Sequence, residues 1–152
     1  MTDYDRKFML LAIEQAQLAG SMDEVPIGAV ITDKDNNLIS SGYNLREINH
    51  DPTAHAEIIA IKKASEKLNS WRLDGCTLYV TIEPCPMCMG AIVLSRINRL
   101  VLGARDPKAG SVFSLYNIGT DNKLNHNVEV KEGVCEMECS NLMKEFFQTL
   151  RQ

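Results

Sequence analysis

Long apolar runs are absent from the sequence: none approaches the ~20 residues that span a bilayer. The first residues, MTDYDRKFML, carry acids and lack the apolar stretch of a secretory signal, and no repeat or low-complexity tract follows. Apolar residues form 45% and charged residues 24% of the 152 positions, which excludes disordered, collagen-like and coiled-coil chains. These absences predict a soluble, cytoplasmic protein with a single domain over residues 1–152 and no membrane partner.

The sequence also lacks a basic surplus. The net charge is −4, so no overall positive field favours nucleic acid as a partner. One local run, residues 96–108, carries four cations against a single acid, Asp106. From charge alone this run fits a basic patch and a solvated helix end with its loop equally well.

The cysteines do not form an even set. Five are present in a chain without a secretory signal, which argues against a disulfide framework and for metal binding or catalysis: Cys76, Cys85, Cys88, Cys135 and Cys139. Cys135 and Cys139 lie four positions apart at the start of a predicted helix. They could be a pair, but because a free cysteine usually behaves as a small hydrophobe, they are predicted instead to be packing or surface thiols.

Hydrophobic periodicity predicts an α/β fold. Helices are expected over residues 3–19, 54–69, 86–97 and 136–150, with a short one near 114–118, and strands over residues 27–32, 38–44, 77–82, 99–104 and within 128–133. The turn-rich DKDNN joins the first two strands as a hairpin. The strand, helix, strand order over residues 77–104 implies a parallel pair, so we expect a central mixed sheet with helices on both faces.

The stretch EPCPMC, residues 83–88, places two cysteines at the start of a helix that follows a strand. This arrangement fits a thioredoxin-like redox pair as well as a metal pair, and a helix N-terminus favours thiolate in either case. A redox pair does not require a histidine and an acid at the start of a second helix. The stretch TAHAEII supplies both, as His55 and Glu57.

His55, Cys85 and Cys88 would make the three-ligand set of a catalytic zinc site, which keeps its fourth position open to water. Side chains in a first helical turn lean toward the helix N-terminus, so Glu57 can reach the same point as His55 and act as the base for that water. A closed structural site with Glu57 as fourth ligand is less favoured, because such sites use sulfur and nitrogen. A thiol oxidoreductase and a non-catalytic zinc module remain alternatives.

The pair HAE (55–57) and PCPMC (84–88) matches the signature of zinc nucleobase deaminases. The wider sequence resembles the bacterial tRNA-specific adenosine deaminase family, TadA type, across nearly the whole chain. The stretches that carry this narrower resemblance are EVPIGAV (24–30), GYN (42–44), NHDPTAHAEI (49–58), LYVTIEPCPMCMGAIVLSRI (78–97), LVLGARDPKAG (100–110), LNHNVEV (124–130) and EFF (145–147).

The resemblance implies a three-layer, cytidine-deaminase-like fold with a central five-stranded mixed sheet. It also implies hydrolysis of the wobble adenosine in an arginine tRNA anticodon to inosine, with release of ammonia, by a homodimer that holds one zinc ion per chain and no organic cofactor. Glu57 would move the protons between water, the adenine ring and the leaving amine.

Further site residues follow from the resemblance. Asn44 falls where the family has an asparagine that hydrogen-bonds the base; without the family, a turn or strand-end asparagine is the simpler interpretation. The remaining matches to substrate-facing positions are Asp106, Lys108, Asn125, His126, Phe146, Phe147 and Arg151. Aromatic and cationic side chains suit unpaired bases and phosphates, although periodicity alone predicts that Phe146 or Phe147 is a core residue.

Deaminases of free guanine or cytosine share the same metal motif and fold. Pocket shape and loop contacts decide the substrate, so a free-base deaminase remains the alternative within this fold.

Overall fold

A mixed sheet forms the centre of the computed structural model, which describes residues 3–150. Nine helices and strands follow one another among these residues: α1 (Asp3–Ser21), β1 (Gly28–Thr32), β2 (Leu38–Tyr43), α2 (Ala56–Leu68), β3 (Thr77–Ile82), α3 (Pro86–Leu94), β4 (Arg99–Ala104), β5 (Glu129–Lys131) and α4 (Glu136–Leu150). The predicted α/β fold with five strands is therefore confirmed.

The strands lie in the order β2-β1-β3-β4-β5. β1 is antiparallel to both β2 and β3, whereas β3, β4 and β5 run parallel, with Val80 opposite Leu102. This confirms the predicted hairpin and the parallel pair on either side of α3. Since the carboxyl ends of β3 and β4 meet at the same edge, the segments that follow them come together there.

Two helices cover each face of the sheet. α1 and α4 pack on one face around Phe8 and Tyr79, and α2 and α3 pack on the other around Met89 and Ile92. Gly28 permits α1 to approach the sheet closely, because an added Cβ would overlap the helix backbone at Ala12 and Ala16. The three-layer architecture is thus confirmed, with one core on each side of the sheet.

The predicted short helix near residues 114–118 is wrong. Residues 111–120 form turns instead. The backbone N–H groups of Val112, Phe113 and Ser114 donate to the carboxylate of Glu83, and the Asn117 side chain donates to the carbonyl of Val112. The Ile118 amide, which in such a helix would donate to the Ser114 carbonyl, donates instead to the Ser111 carbonyl at 2.9 Å, so the helical hydrogen bond is not made.

The cations of residues 96–108 do not form one patch. The guanidinium of Arg99 binds the buried carboxylate of Asp5, at 2.7 and 2.8 Å, and Arg105 pairs with Glu132 at 2.8 and 2.9 Å. Lys108 alone among the four lines the main pocket. The basic run is thus divided among separate ion pairs.

Of the two alternatives for the cysteines at the start of α4, packing and surface thiols, the structure shows packing: Cys135 is 7% and Cys139 0% exposed. All five cysteines are free thiols. No helix within residues 3–150 is long and apolar enough to cross a membrane.

Candidate active site

A pocket of about 520 Å³ opens at the carboxyl ends of β3 and β4. Its floor is formed by the starts of α2 and α3, which bring His55, Glu57 and Cys85 together, and its walls by the loops that follow β2 and β4. Ligand sites of open α/β sheets lie at this edge, because the loops after parallel strands diverge there. The sequence residues predicted to carry the chemistry therefore lie in one concave site.

His55 and Cys85 are the N-cap residues of α2 and α3. Both residues have an extended backbone, with ψ of 153° for His55 and 175° for Cys85. This conformation ends the preceding loop and directs each side chain away from the helix that follows. Pro86 occupies the first turn of α3, where its missing N–H costs nothing. Two positive helix ends thus point at the same place and favour negative charge there.

The imidazole and the two sulfurs form a cluster of metal-ligand type. His55 Nδ1 lies 3.6 Å from Cys85 Sγ and 3.6 Å from Cys88 Sγ, and all three ligand atoms lie within 4.8 Å of one another. A tetrahedral zinc ion with ordinary Zn–N and Zn–S bonds would separate nitrogen from sulfur by about 3.6 Å. The residues therefore fit zinc in chemistry and in spacing.

The two thiols of the cluster differ in acidity. The hydrogen bond from Cys88 lowers the pKa of Cys85 to about 4, while the bond to Cys85, together with burial, raises the pKa of Cys88. The hydrogen bond to Cys85 also raises the pKa of His55. The protein alone thus stabilises one thiolate in the cluster, and a divalent cation would be needed for both sulfurs to ionise.

Glu57 lies in the first turn of α2 with its carboxyl group beside Cys88. The residue is only 4% exposed, yet it lines the pocket. Burial raises the pKa of Glu57 to about 7. A carboxyl group with such a pKa, beside a metal-type cluster and open to a ligand, is suited to proton transfer near neutral pH.

One wall of the pocket carries Asn44 and Arg46. The Asn44 side chain is 6% exposed; its Nδ2 donates to the Val25 carbonyl at 3.3 Å, and its Oδ1 accepts from the Arg46 amide at 3.1 Å. Asn44 is therefore held in place while it lines the pocket. Arg46 was missed by sequence reasoning, although a cation two residues after a pocket asparagine was a usable signal.

A buried carboxylate supports this wall from behind. Glu24 is 1% exposed and accepts from the backbone N–H groups of Glu47 at 3.0 Å and Ile48 at 2.8 Å. No local pattern in the sequence revealed this contact, because the partners are 23 and 24 positions away.

The opposite wall is the loop that carries Asp106 and Lys108, both of which line the pocket. Asp106 accepts from the Lys108 amide at 3.0 Å. The loop is held by Glu83. Burial alone would raise the pKa of this carboxyl group, but hydrogen bonds from Ser114 and the loop amides lower the pKa to about 2. Sequence reasoning missed Glu83, although it directly precedes the PCPMC motif.

Phe147 and Met143 on α4 also line the pocket. The Phe147 ring is 42% exposed and contacts Phe146 edge to face, with 5.4 Å between ring centroids. Neither phenylalanine is fully buried, so the expectation of a core residue among the two is wrong for the chain by itself. Near the chain end, α4 packs only one side against the sheet.

Three predicted substrate residues lie outside this pocket or beyond the described residues. His126 Nε2 is 2.8 Å from the Ile97 carbonyl, which lies just before β4 begins. The pocket lies beyond the other end of β4. Asn125 precedes His126 on the exposed loop. Arg151 lies outside the described range of residues 3–150. These three assignments stay predictions.

A mixed α/β sheet with a His/Cys/Cys cluster and a buried glutamate at the carboxyl edge of its parallel strands defines a protein of the nucleobase-deaminase class. Residues 3–151 match the family model of MafB19-like deaminases. A tRNA-specific adenosine deaminase of Haemophilus influenzae is 46% identical over 151 residues, which is 99% of this chain and 87% of that protein.

Two solved structures are also similar to this chain over most of its length. A structure of tRNA:A34 deaminases, which carry out A-to-I editing at the wobble position, is 44% identical with a TM-score of 0.86, and the match covers 90% of this chain and 98% of that one. A guanine deaminase from Nitrosomonas europaea is 27% identical with a TM-score of 0.77, over 93% of this chain and 83% of that one. The chain therefore belongs to the family of tRNA-specific adenosine deaminases.

Proposed function

We propose that this protein hydrolyses the wobble adenosine of an arginine tRNA anticodon to inosine and ammonia, as a cytoplasmic homodimer with one zinc ion per chain. The observation that carries the proposal is the cluster of His55, Cys85 and Cys88 beside the buried carboxyl group of Glu57 at the floor of the pocket. The family relatives supply the substrate class.

His55, Cys85 and Cys88 would hold the metal, since their 3.6 Å spacings suit a tetrahedral site. Bound zinc would supply Lewis-acid activation of water. Three protein ligands leave a fourth position on the pocket side, where water and the target base can meet.

Glu57 would take a proton from the attacking water and deliver it to N1 of the adenine ring. It would then take the second proton from the hydroxyl group now on C6 and pass it to the departing amine, so that adenosine and water yield inosine and ammonia. Its carboxyl group is suited to both steps because it is buried beside the cluster and yet faces the pocket. Water other than the reacting molecule is displaced by apolar wall residues, among them Val25, Ile27 and Ile82.

Binding would be divided between the two walls. The Asn44 amide offers one donor and one acceptor to the edge of the flipped-out base, while Lys108 faces the phosphates and Asp106 keeps the loop in shape. Phe147 would stack on an unpaired neighbouring base. Asn125, His126 and Arg151 would contact the RNA away from the target base.

A deaminase of free guanine is the second candidate, because the guanine deaminase from Nitrosomonas europaea shares the fold over nearly the whole chain. The Asn44 amide can hydrogen-bond either purine. An anticodon loop, however, needs a wider mouth than a free base, and the pocket here is open between Lys108 and Phe147.

The decisive experiment incubates the purified protein with an arginine anticodon stem-loop and, separately, with free adenine, guanine and cytosine. Inosine in the stem-loop, together with about one zinc per chain by atomic spectroscopy, is the expected result. Conversion of a free base without conversion of the RNA would replace the proposal by the second candidate. A stem-loop in which guanosine replaces the wobble adenosine controls for reaction elsewhere in the loop.

A further inference from the structure

The carboxylate of Glu83 is buried and surrounded by donors. The residue is 3% exposed. Its Oε1 accepts from the Asp106 amide at 3.0 Å and from the Ser114 hydroxyl at 2.6 Å. Its Oε2 accepts from the amides of Val112, Phe113 and Ser114 at 3.0, 2.8 and 3.0 Å. No catalytic step proposed above uses this carboxylate.

All four amides belong to one loop, residues 105–114, which leaves β4 and forms the wall that carries Asp106 and Lys108. The loop has no strand or helix of its own over these residues, so its shape is set by contacts to its surroundings. Gly110 lies against the anchor: an added Cβ would overlap the carboxylate of Glu83. The loop is therefore wrapped tightly around a single side chain.

Glu83 itself is fixed to the sheet and to the metal-ligand segment. Its amide donates to the Ala104 carbonyl at 2.8 Å, and the carbonyl of the next residue, Pro84, accepts from the Ser111 amide at 2.9 Å. Cys85 follows directly. One stretch of three residues thus carries both the anchor of the pocket wall and a ligand of the metal-type cluster.

We propose that Glu83 is a positioning residue: its carboxylate holds the 105–114 loop at a set distance from the cluster, so that Asp106 and Lys108 face the RNA. The proposal rests on the proposed function for its substrate. Glu83 does not touch the reacting atoms; it acts through the loop. A carboxylate is required because both oxygens face donors and neither can be replaced by a donating group.

The substitution Glu83→Gln tests this at the level of single atoms. The glutamine oxygen is expected at the position of Oε2, where three amides point, and the NH₂ group at the position of Oε1. The Ser114 hydroxyl can rotate and accept a hydrogen bond from this NH₂ group. The Asp106 amide can only donate, so Asp106 alone loses its acceptor. Hydrogen exchange should therefore accelerate most at Asp106, with smaller changes over residues 112–114.

In turnover, Glu83→Gln should raise KM for the anticodon stem-loop by ~10-fold and change kcat by less than ~3-fold, because contacts made equally to substrate and transition state are lost. Zinc per chain should stay unchanged. Glu132→Gln removes the same charge from an exposed side chain that pairs with Arg105, and it should leave KM within ~2-fold. Glu24→Gln, the matched buried variant, should accelerate exchange at Glu47 and Ile48 instead.

Three results would overturn the proposal: unchanged exchange at Asp106, a fall in kcat without a change in KM, or exchange that accelerates equally over the whole chain. The last would mean a purely structural role. If the wild-type protein made no inosine in the stem-loop, the proposed function would fail, while the exchange pattern would still decide what Glu83 holds.

Discussion

Two buried glutamates lie at the same pocket and behave in opposite ways. Glu57 on the floor is 4% exposed and Glu83 in the wall is 3% exposed, so burial does not distinguish them. Burial raises the pKa of Glu57 to about 7, whereas the Ser114 and backbone donors overcome burial and lower the pKa of Glu83 to about 2. Five donated hydrogen bonds favour the charged form of Glu83, whereas burial disfavours the charged form of Glu57, so Glu57 is the one of the two that is suited to proton exchange near neutral pH.

The floor and the wall are therefore built for different tasks. The floor places ionisable groups on two helix starts, where a proton can move between them. In the wall, backbone amides surround the Glu83 carboxylate and favour its charged form, so the carboxylate fixes the shape of the loop and does not exchange a proton. If this division is right, changes to the floor should affect chemistry, and changes to the wall should affect binding.

Metal removal should have the largest effect. A chelator should abolish inosine formation completely and make the thiols of Cys85 and Cys88 titratable, and zinc should restore activity. Because the wall is anchored by Glu83 and not by the metal, hydrogen exchange at residues 112–114 should stay slow in the metal-free protein. A reversible Cys85–Cys88 disulfide with full activity in the presence of chelator would contradict this and favour the oxidoreductase alternative.

Glu57→Gln should come next. It keeps the shape of the side chain and removes the proton carrier, so kcat should fall by ~10³-fold or more with KM nearly unchanged. Zinc content should be unchanged, since Glu57 is not among the proposed ligands His55, Cys85 and Cys88. The variant should be at least as stable as the wild type in urea, because an amide replaces a poorly solvated acid.

The proposed division between a floor for chemistry and a wall for binding would be contradicted if Glu57→Gln raised KM and left kcat unchanged. Glu57 would then belong with the binding wall, and another group would have to move the proton.

A smaller effect is expected from Gly110→Ala. The added methyl group would overlap the Glu83 carboxylate and the Asp106 carbonyl, so the loop must shift outward. KM for the stem-loop should rise by ~10-fold while kcat stays within ~3-fold, by analogy with other lost positioning contacts. Gly20→Ala, whose methyl group would make only an ordinary contact to Pro26 at 3.6 Å, is the control. Equal effects of the two variants would contradict a specific role of the wall.

The same division explains what the sequence could and could not predict. The floor comes from HAE and PCPMC, two short motifs at helix starts whose residue types indicate a metal site, although His55 lies 30 and 33 positions from the two cysteines that it contacts. The wall depends on hydrogen bonds between residues 23 to 31 positions apart, for which Glu83 shows no periodic signal. The short helix expected near residues 114–118 is absent for a related reason, because the Ile118 amide donates to the Ser111 carbonyl, seven positions back, and not to the Ser114 carbonyl.

Another buried carboxylate, that of Asp5, separates stability from function. It is 1% exposed, far from the pocket, and binds both terminal nitrogens of Arg99 at 2.7 and 2.8 Å and the Tyr79 hydroxyl at 3.1 Å. Arg99→Met removes the cation and leaves a buried carboxylate with weaker partners, which should cost about 3 kcal/mol of unfolding free energy in urea titration.

The activity of Arg99→Met should not change below its lowered melting temperature, because Asp5 contacts neither the floor nor the wall. The conservative Arg99→Lys should recover part of the stability, since an ammonium restores the charge but not the two-pronged contact. A rise in KM or a fall in kcat in the folded variant would show that the core beneath β3 and β4 also positions the site. In that case the preserved shape of the wall would depend on the sheet as well as on Glu83.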